Sequence, residues 1–317
     1  MSVVLQLDDF GAFVRPQSRP PTTRTERKKY QLAVACMFKD SLIYLRESIP
    51  FHIMVGVEHF YLCDNGSTEN YMPFLQPYID AGRVELTHRL NAPGPWESNT
   101  HIKFMDDVIN ATKNDVEWLA LLDADEFLVP VKSNNIAHVL NQAKFAAHGG
   151  VSINWFCYGC NGIERLSPVD LLLERMNRRA PDTQAVNRHL KVIVRPARTQ
   201  RWAVHHANYE SGYGATNTAL VDTTNSLFAD VCGDEIRLNH YYIGDAAHWK
   251  MYKYPFLKDV YGVASVAEIR KQNVLTESND VEDNIAHRWV PVLRRVLYPP
   301  PPFSLLSAIE QGQITLE

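Results

Sequence analysis

The stretch WLALLDADEF, residues 118–127, decides how this chain folds and where its chemistry lies. Its first five residues are apolar throughout, which is typical of a strand buried on both faces of a sheet. Acidic side chains follow at once, in Asp123, Asp125 and Glu126. Because ligands bind beyond the carboxyl ends of the strands in an open α/β sheet, these three carboxylates are predicted to lie at a binding edge.

Predicted strands and helices alternate ahead of this stretch. Strands separated by helices of ten or more residues predict a mostly parallel α/β sheet with helices on both faces. Pro50 is expected to kink or divide the first of these helices. The predicted strands are Gln31–Met37, His59–Cys63, Arg83–Thr87 and Trp118–Leu122, and the predicted helices are Ser41–Val55, Glu69–Ala81 and Asn99–Thr112.

The pattern changes after residue 130, where the predicted strands have longer and irregular connections. These strands are Val151–Phe156, His189–Val194, Trp202–Ala207 and Ile236–Ile243, and the chain is predicted to be mostly helical from Ala246 to Tyr298. The expected organisation is an arm over residues 1–29, one domain over 30–262 with halves 30–130 and 131–262, and a helical C-terminal segment over 263–317.

The composition is that of an ordinary globular protein, with 45% hydrophobic residues, 21% charged residues and a formal net charge of -4. This charge gives no reason to expect nucleic acid as a partner. The five cysteines are an odd number, which does not suggest a secreted disulfide framework. No apolar run reaches the roughly 18 residues that cross a bilayer, and the first residues lack the basic region of a signal peptide. We expect a cytoplasmic protein, for which peripheral membrane attachment stays open.

The two aspartates suggest a metal site. Side chains alternate along an extended segment, so Asp123 and Asp125 are predicted to point to one side and Glu126 to the other. Adjacent carboxylates repel, and Mn²⁺ or Mg²⁺, which prefers carboxylate and phosphate oxygens, would offset this repulsion. Such an ion bridges the phosphates of a nucleoside diphosphate and stabilises the charge of the leaving group. The alternative is an inert, solvated acidic turn.

A second polar turn, Asp64-Asn65-Gly66-Ser67-Thr68, follows the second predicted strand and is expected near the same edge of the sheet. A carboxylate in this turn can accept hydrogen bonds from a ribose or a base. The same five residues are also simply a favourable turn sequence.

Six motifs in the same order resemble glycosyltransferase family 92 and its bacterial and viral relatives, which are allied to the family 2 transferases. The resemblance extends from about Tyr30 to about Lys253. Its parts are Phe38-Lys39-Asp40 with the run from His52 to Tyr61, the turn from Asp64 to Glu69, Asp123 to Phe127, Trp155 to Gly162, Lys191 to Pro196 with His205 or His206, and Asn239-His240-Tyr241.

The resemblance implies a GT-A fold and an inverting transferase that moves galactose from UDP-galactose to a glycan acceptor. Residues 30–130 would bind the nucleotide-sugar and residues 131–262 the acceptor. Eukaryotic members usually carry a membrane anchor and luminal disulfides, which are not evident here, so a bacterial or viral enzyme is expected. The implied site residues are Lys39, Asp64 and Asn65 for the nucleotide, Lys191 for phosphate, Asp123, Asp125 and His240 for the metal, and Trp155, Gly159 and His206 for donor or acceptor sugar.

An inverting transfer also needs a general base that takes the proton of the acceptor hydroxyl, and a carboxylate is the usual choice. Asp125 is expected to contribute to catalysis by holding the metal. Glu126 is a possible base, but it is equally well explained as a buried structural carboxylate. Two other functions stay open, an inactive carbohydrate-binding relative and a nucleotidyltransferase of related fold, although residues 30–45 lack the glycine of its phosphate loop. The possible bases are Glu126, Glu164, Asp170 and Glu210.

Overall fold

The computed structural model describes residues 6–7, 13–14, 27–90, 100–255 and 278–298. One large sheet organises most of them, and helices pack on both of its faces. A separate antiparallel pair, β1 (Gln6–Leu7) and β2 (Phe13–Val14), belongs to the predicted arm. The other arm residues up to 26 lie outside the described part of the chain.

The first half of the large sheet is formed by β3 (Tyr30–Phe38), β4 (His59–Asp64), β5 (Val84–His88) and β6 (Val116–Asp123). These strands are parallel, in the order β5-β4-β3-β6, and each overlaps the apolar run predicted for it. Phe38 pairs with Asp64, and Met37 pairs with Asp123. Both acidic turns therefore begin at the same edge of the sheet, as the sequence predicted.

The second half of the sheet contains β7 (Glu126–Pro130), β8 (Gly150–Cys157), β10 (Leu190–Val194), β13 (Ala215–Thr216) and β14 (Ile236–His240). Strand β10 lies antiparallel between β6 and β8, and β14 lies parallel to β8 and antiparallel to β7. This pairing sets His240 opposite Glu126. The mixed but mostly parallel α/β sheet confirms the expected fold class.

The helices are α1 (Leu42–Met54), α2 (Met72–Asp80), α3 (Thr100–Ala111), α4 (Ile136–Leu140), α5 (Leu172–Arg175), α6 (Ala246–His248) and α7 (Val290–Leu297). Strand β3 is buried on both faces because Leu32 and Val34 join the apolar core with α1, whereas Ala33 and Ala35 join the core with α3. None of the helices within the described ranges is both long and apolar enough to cross a bilayer.

Two local features refine the predictions. Of the kink or division expected at Pro50, the division does not occur, because α1 is continuous over Leu42–Met54. Ile49 and Phe51 on either side are fully buried, so tertiary packing outweighs the hydrogen bond that proline removes. The single strand predicted over 202–207 is a hairpin of β11 (Thr199–Ala203) and β12 (His206–Tyr209). Its strands are joined by a turn at Val204, which has a φ of 60°.

Within the described residues, the C-terminal part departs from the predicted helix at one strand. Strand β15 (Val281–Glu282) pairs with β9 (Arg178–Arg179), and Asp283 forms ion pairs with Arg179 and Arg237. A 3-10 turn at Ile285–Trp289 then leads into α7, which packs on α1. The prediction of a helix fails at β15, because a strand partner far away in sequence determines its structure. Residues 256–277 and 299–317 lie outside the described ranges.

Candidate active site

The backbone turns at Ala124 and Asp125, between the end of β6 and the start of β7. The predicted alternation of side chains was therefore wrong, because the segment is not extended. Glu126 does not point away from Asp123: its Oε2 atom accepts a hydrogen bond of 2.8 Å from the Asp123 backbone N–H. The turn brings all three carboxylates of the Asp-Ala-Asp-Glu segment into one site.

Two carboxylates share one lysine on one side of the turn. The Lys191 Nζ atom lies 2.7 Å from Asp123 Oδ2 and 3.3 Å from Glu126 Oε2, and Lys191 is only 3% exposed. The Trp155 Nε1–H donates to Glu126 Oε1 at 2.8 Å. We call Asp123, Glu126 and Lys191 the Lys191 group.

Burial and charge set the pKa values in the Lys191 group. Burial raises the pKa of Glu126 to about 7, against the opposing effect of Lys191. Burial would also raise the pKa of Asp123, but Lys191 and the neighbouring His101 outweigh it and lower that pKa to about 2. The carboxylates in turn raise the pKa of Lys191 despite its burial. The lysine therefore keeps its charge in a buried position.

A second cluster forms on the other side of the turn. Asp125 Oδ1 lies 3.5 Å from His240 Nε2, and Asp125 Oδ2 contacts the Lys253 ammonium. Lys253 ends a short π-helical turn, Trp249–Lys253, and also lies 4.4 Å from the centre of the Tyr242 ring. We call Asp125, His240 and Lys253 the Lys253 group.

Charge dominates the Lys253 group as well. Burial would raise the pKa of Asp125, but Lys253 and His240 hold it well below its usual range. Burial would lower the pKa of His240, yet the Asp125 carboxylate raises it to about 10. Asp125 therefore faces the Lys253 ammonium and an imidazole whose protonated form it favours.

The donor atoms of this region suit a divalent ion in chemical type. Carboxylate oxygens and imidazole nitrogens are ligands that Mn²⁺ accepts. The 3.5 Å between Asp125 Oδ1 and His240 Nε2 lets both atoms face one ion once the imidazole is neutral. No group of three His, Cys, Asp or Glu side chains converges as a complete metal site in the described ranges. Asp125 and His240 therefore fit as a partial ligand set that other groups must complete.

The predicted nucleotide residues lie at the same edge. Asp64 Oδ1 accepts a hydrogen bond of 2.9 Å from Ser67 N–H, and the Asn65 N–H donates to the Phe38 carbonyl. Lys39 is exposed in the turn that follows β3. The structure therefore brings Lys39, Asp64 and Asn65 to the carboxyl ends of β3 and β4, at the edge of the sheet where β6 also ends.

Asp40 ties the two turns of this edge together. Its Oδ1 atom accepts hydrogen bonds from the backbone N–H groups of Thr68 and Glu69, at 2.6 and 3.1 Å. Asp40 has a φ of 46°, in the left-handed region that an aspartate tolerates better than most residues. This bond fixes the turn containing Asp64 relative to the turn containing Lys39.

Among the residues predicted for sugar binding, Trp155 adjoins both ion groups. Its ring stacks on His189 at 4.6 Å between centroids, and it contacts His240 at 4.3 Å and His205 at 5.4 Å. The His205 Nδ1–H also donates a hydrogen bond of 2.8 Å to the Leu190 carbonyl. Of the two adjacent histidines, the structure therefore brings His205 to the site.

His206 and Gly159 lie elsewhere in the fold. His206 begins β12, and none of its ring contacts within the described residues involves Trp155 or either ion group. Gly159 packs against the C-terminal part of the chain, where a Cβ atom added to it would lie 2.5 Å from Asn279 Oδ1. Its backbone N–H donates to the Ser278 carbonyl at 3.0 Å. These contacts give Gly159 a packing role.

The proposed bases differ in their surroundings. Glu126 is fully buried and fully engaged, whereas Glu164 is exposed and pairs with Lys250 at 2.8 Å. Asp170 accepts a hydrogen bond from Ser167 N–H within its own loop. Glu210 pairs with Lys113 at 3.7 Å. Because Lys250 and Lys253 lie on the same π-helical turn, Glu164 is the exposed carboxylate that this turn connects to Asp125.

Sequence reasoning missed two neighbours of the aspartates. His101 on α3 lies 4.0 Å from Asp123, and Lys253 binds Asp125. It named His205 or His206 as alternatives, and His205 is the one that reaches Trp155. Lys253 was noted only as part of the resemblance. No local pattern could identify it as the partner of Asp125, because the two residues are 128 positions apart.

Comparison with known proteins places the chain in a family. The model of glycosyltransferase family 92 matches residues 28–229. A family 92 protein of Ricinus communis is 24% identical over 215 residues, which cover 63% of this chain and 36% of that protein. One of Arabidopsis thaliana is 25% identical over 198 residues, covering 59% and 33%. The chain thus spans about a third of the length of these relatives.

Solved structures of glycosyltransferases also resemble the chain. Staphylococcus aureus TarS 1-349 is 14% identical, with a TM-score of 0.34 over 89% of this chain and 77% of that chain. Glucosyl-3-phosphoglycerate synthase from Mycobacterium tuberculosis, in complex with Mn²⁺, UDP and glucosyl-3-phosphoglycerate, is 13% identical, with a TM-score of 0.26 over 47% and 54%. Since the family model matches well over half of its residues, the chain belongs to glycosyltransferase family 92.

Proposed function

We propose that the chain transfers galactose from UDP-galactose to a glycan acceptor, with inversion at the anomeric carbon and with the help of Mn²⁺ or Mg²⁺. The observation that carries this proposal is the convergence of Lys191, Lys253 and His240 on the two aspartates of one turn. A merely solvated acidic turn has no need of buried counterions. A diphosphate with its metal ion needs both the carboxylates and the cations.

Each part of this edge then has a role in holding the donor. Asp125 and His240 would hold the metal ion together with Asp123, and the ion would stabilise the negative charge that develops on the departing UDP. Lys191 compensates Asp123 and leaves the edge attractive to phosphate. Asp64 retains carboxylate lone pairs that can accept hydrogen bonds from the ribose or the base.

The acceptor is activated by a carboxylate. In an inverting displacement the acceptor oxygen bonds to the anomeric carbon while the bond to UDP breaks, and a base takes the hydroxyl proton. Glu126 has Lys191, Trp155 and a backbone N–H as partners and is shielded from solvent. We propose Glu164 as the base, because its side chain is 72% exposed and pairs with Lys250 on the π-helical turn that carries Lys253.

The test is hydrolysis and transfer measured with a panel of nucleotide-sugars in the presence of Mn²⁺. Asp125→Asn should lower the rate with UDP-galactose by about 100-fold or more, because an electrostatic contact to the leaving group is lost. Asp230→Asn is a matched control, because the Asp230 side chain is fully exposed. Its rate should equal that of the wild type.

Two results would contradict the proposal. One is a panel in which no donor is hydrolysed or bound in the presence of metal. The other is an Asp125→Asn variant with the wild-type rate, which would remove the turn from the reaction. A Glu164→Gln variant that binds UDP normally and transfers sugar at the wild-type rate would exclude Glu164 as the base.

A further inference from the structure

We propose that Lys253 is a displaceable counter-cation: its ammonium neutralises Asp125 in the ligand-free protein, leaves when a divalent ion binds Asp125, and then binds the donor diphosphate. This inference rests on the proposed function, because it assigns a ligand-dependent role within the same site. It adds to the site one residue, Lys253, whose partner changes from the Asp125 carboxylate to the donor diphosphate.

The first argument is competition for one carboxylate. Asp125 is 3% exposed, and its two oxygens face His240 and Lys253. A divalent ion held between Asp125 Oδ1 and His240 would share this carboxylate with the ammonium at Oδ2. The two cations would repel each other strongly in a poorly solvated position, so binding of the ion would weaken the hold of Asp125 on Lys253.

The second argument is the difference between Lys253 and Lys191. Lys191 is fixed by two carboxylates on a sheet strand and is nearly inaccessible to solvent. Among the described residues, Lys253 pairs with a single carboxylate, and its side chain is 21% exposed. It also lies on a π-helical turn, a local distortion that is frequent at functional sites. Lys253 is therefore the lysine of this site that can move.

The third argument is the destination of the ammonium. Lysine is a point charge on a flexible stem of four carbons, and phosphate is a partner that it commonly binds. A diphosphate held by an ion on Asp125 would lie within reach of a side chain that already touches this residue. The exchange keeps Lys253 paired with an anion in both states, so the cost of an unpaired buried charge is avoided.

The experiment compares Mn²⁺ binding without donor in the wild type and in Lys253→Met, by titration calorimetry at neutral pH. Loss of the competing ammonium should tighten Mn²⁺ binding by about 10-fold, a coupling of ordinary size between two ligands. Binding of UDP in saturating Mn²⁺ should weaken by about 10-fold, because the phosphate partner is also lost. The two shifts have opposite signs, which a general loss of structure does not produce.

Two further variants separate charge from packing. Lys253→Arg keeps the positive charge and should leave Mn²⁺ affinity within about 2-fold of the wild type. Lys132→Met removes an exposed lysine whose side chain is 67% accessible, and should change neither affinity. Thermal unfolding of each variant confirms that it is folded before titration.

Unchanged or weaker Mn²⁺ binding by Lys253→Met would overturn the exchange and leave the proposed function intact. If UDP binding by this variant is undiminished, the second half of the exchange is overturned. Should Mn²⁺ bind to none of the proteins while UDP binds in the presence of a chelator, both the exchange and the metal in the proposed function fail. Opposite shifts without turnover of any donor would support the exchange and contradict the transferase activity.

Discussion

The Lys191 group and the Lys253 group each pair an aspartate with a lysine, but they differ in which of the two side chains is buried. In the Lys191 group the cation is buried, at 3% exposure, while the Asp123 side chain is 39% exposed. In the Lys253 group the Asp125 side chain is buried, at 5%, and the Lys253 side chain is 21% exposed. Lys191 is therefore the less accessible of the two lysines. Under the proposed exchange, Lys191 is a fixed charge and Lys253 a movable one.

The largest expected effect on the free energy of unfolding comes from removing the charge of Lys191. Lys191→Met leaves Asp123 and Glu126 as neighbouring carboxylates without their shared cation, so the free energy of unfolding should fall by about 3–5 kcal/mol. Lys253→Met should lower it less, by about 2–3 kcal/mol, because the buried Asp125 carboxylate still faces the His240 imidazole. Urea unfolding at pH 7 measures both. Equal losses in the two variants would contradict the distinction between a fixed and a movable lysine.

A second prediction concerns β7, the strand that begins with Glu126 of the Lys191 group and pairs with the strand of His240. The buried His52 accepts a hydrogen bond from Leu128 N–H at Nε2, and its Nδ1 lies 2.8 Å from the Ser48 carbonyl. Burial lowers the pKa of His52 to about 4 from 6.5. The folded state therefore prefers the neutral ring, and the unfolded state takes up the proton first. The resulting stability is fully present above pH 6.5 and is lost as the pH falls towards 4.

The measurement is urea unfolding of the wild type and of His52→Gln between pH 7 and pH 4. The difference in unfolding free energy between the two should shift by about 3 kcal/mol in favour of the variant as the pH falls, since one pKa unit corresponds to about 1.4 kcal/mol. A pH-independent difference would show that His52 does not anchor β7 in the neutral form.

The smallest effect is expected at Glu126. Glu126→Gln keeps the shape of the side chain but removes the charge that faces Lys191, so the free energy of unfolding should fall by about 1–3 kcal/mol. UDP affinity should stay near that of the wild type if Glu126 only supports the structure of the site. A variant of unchanged stability that binds UDP but no longer transfers sugar would instead identify Glu126 as the base.

The sequence predicted most of the parallel half of the fold because its signals are local. Apolar runs define β3, β4 and β6, and the carboxyl ends of parallel strands meet at one edge whatever the details of the helices between them. The positions of Asp64 and Asp123 followed from this rule alone. Only the alternation argument for Glu126 failed, because a turn at Ala124 and Asp125 interrupts the extended chain.

The other half of the site could not be predicted from local patterns. Lys191 is 68 positions from Asp123, and Lys253 is 128 positions from Asp125. Both meet the turn only because β10 pairs with β6 and because β14 leads into the π-helical turn. The choice of His205 over His206 depends on the turn at Val204, which has a positive φ. The alternation of side chains along a strand does not predict such a turn.

The pairing of His240 with Glu126 in β14 and β7 also has a consequence for the order of folding. In this pairing His240 lies 114 positions after Glu126 of β7 and 83 positions after Cys157 of β8, and such non-local pairings form slowly. Until β14 is in place, the turn carries its aspartates without His240 or Lys253. Under the proposed function, the donor site would therefore be completed only late in folding.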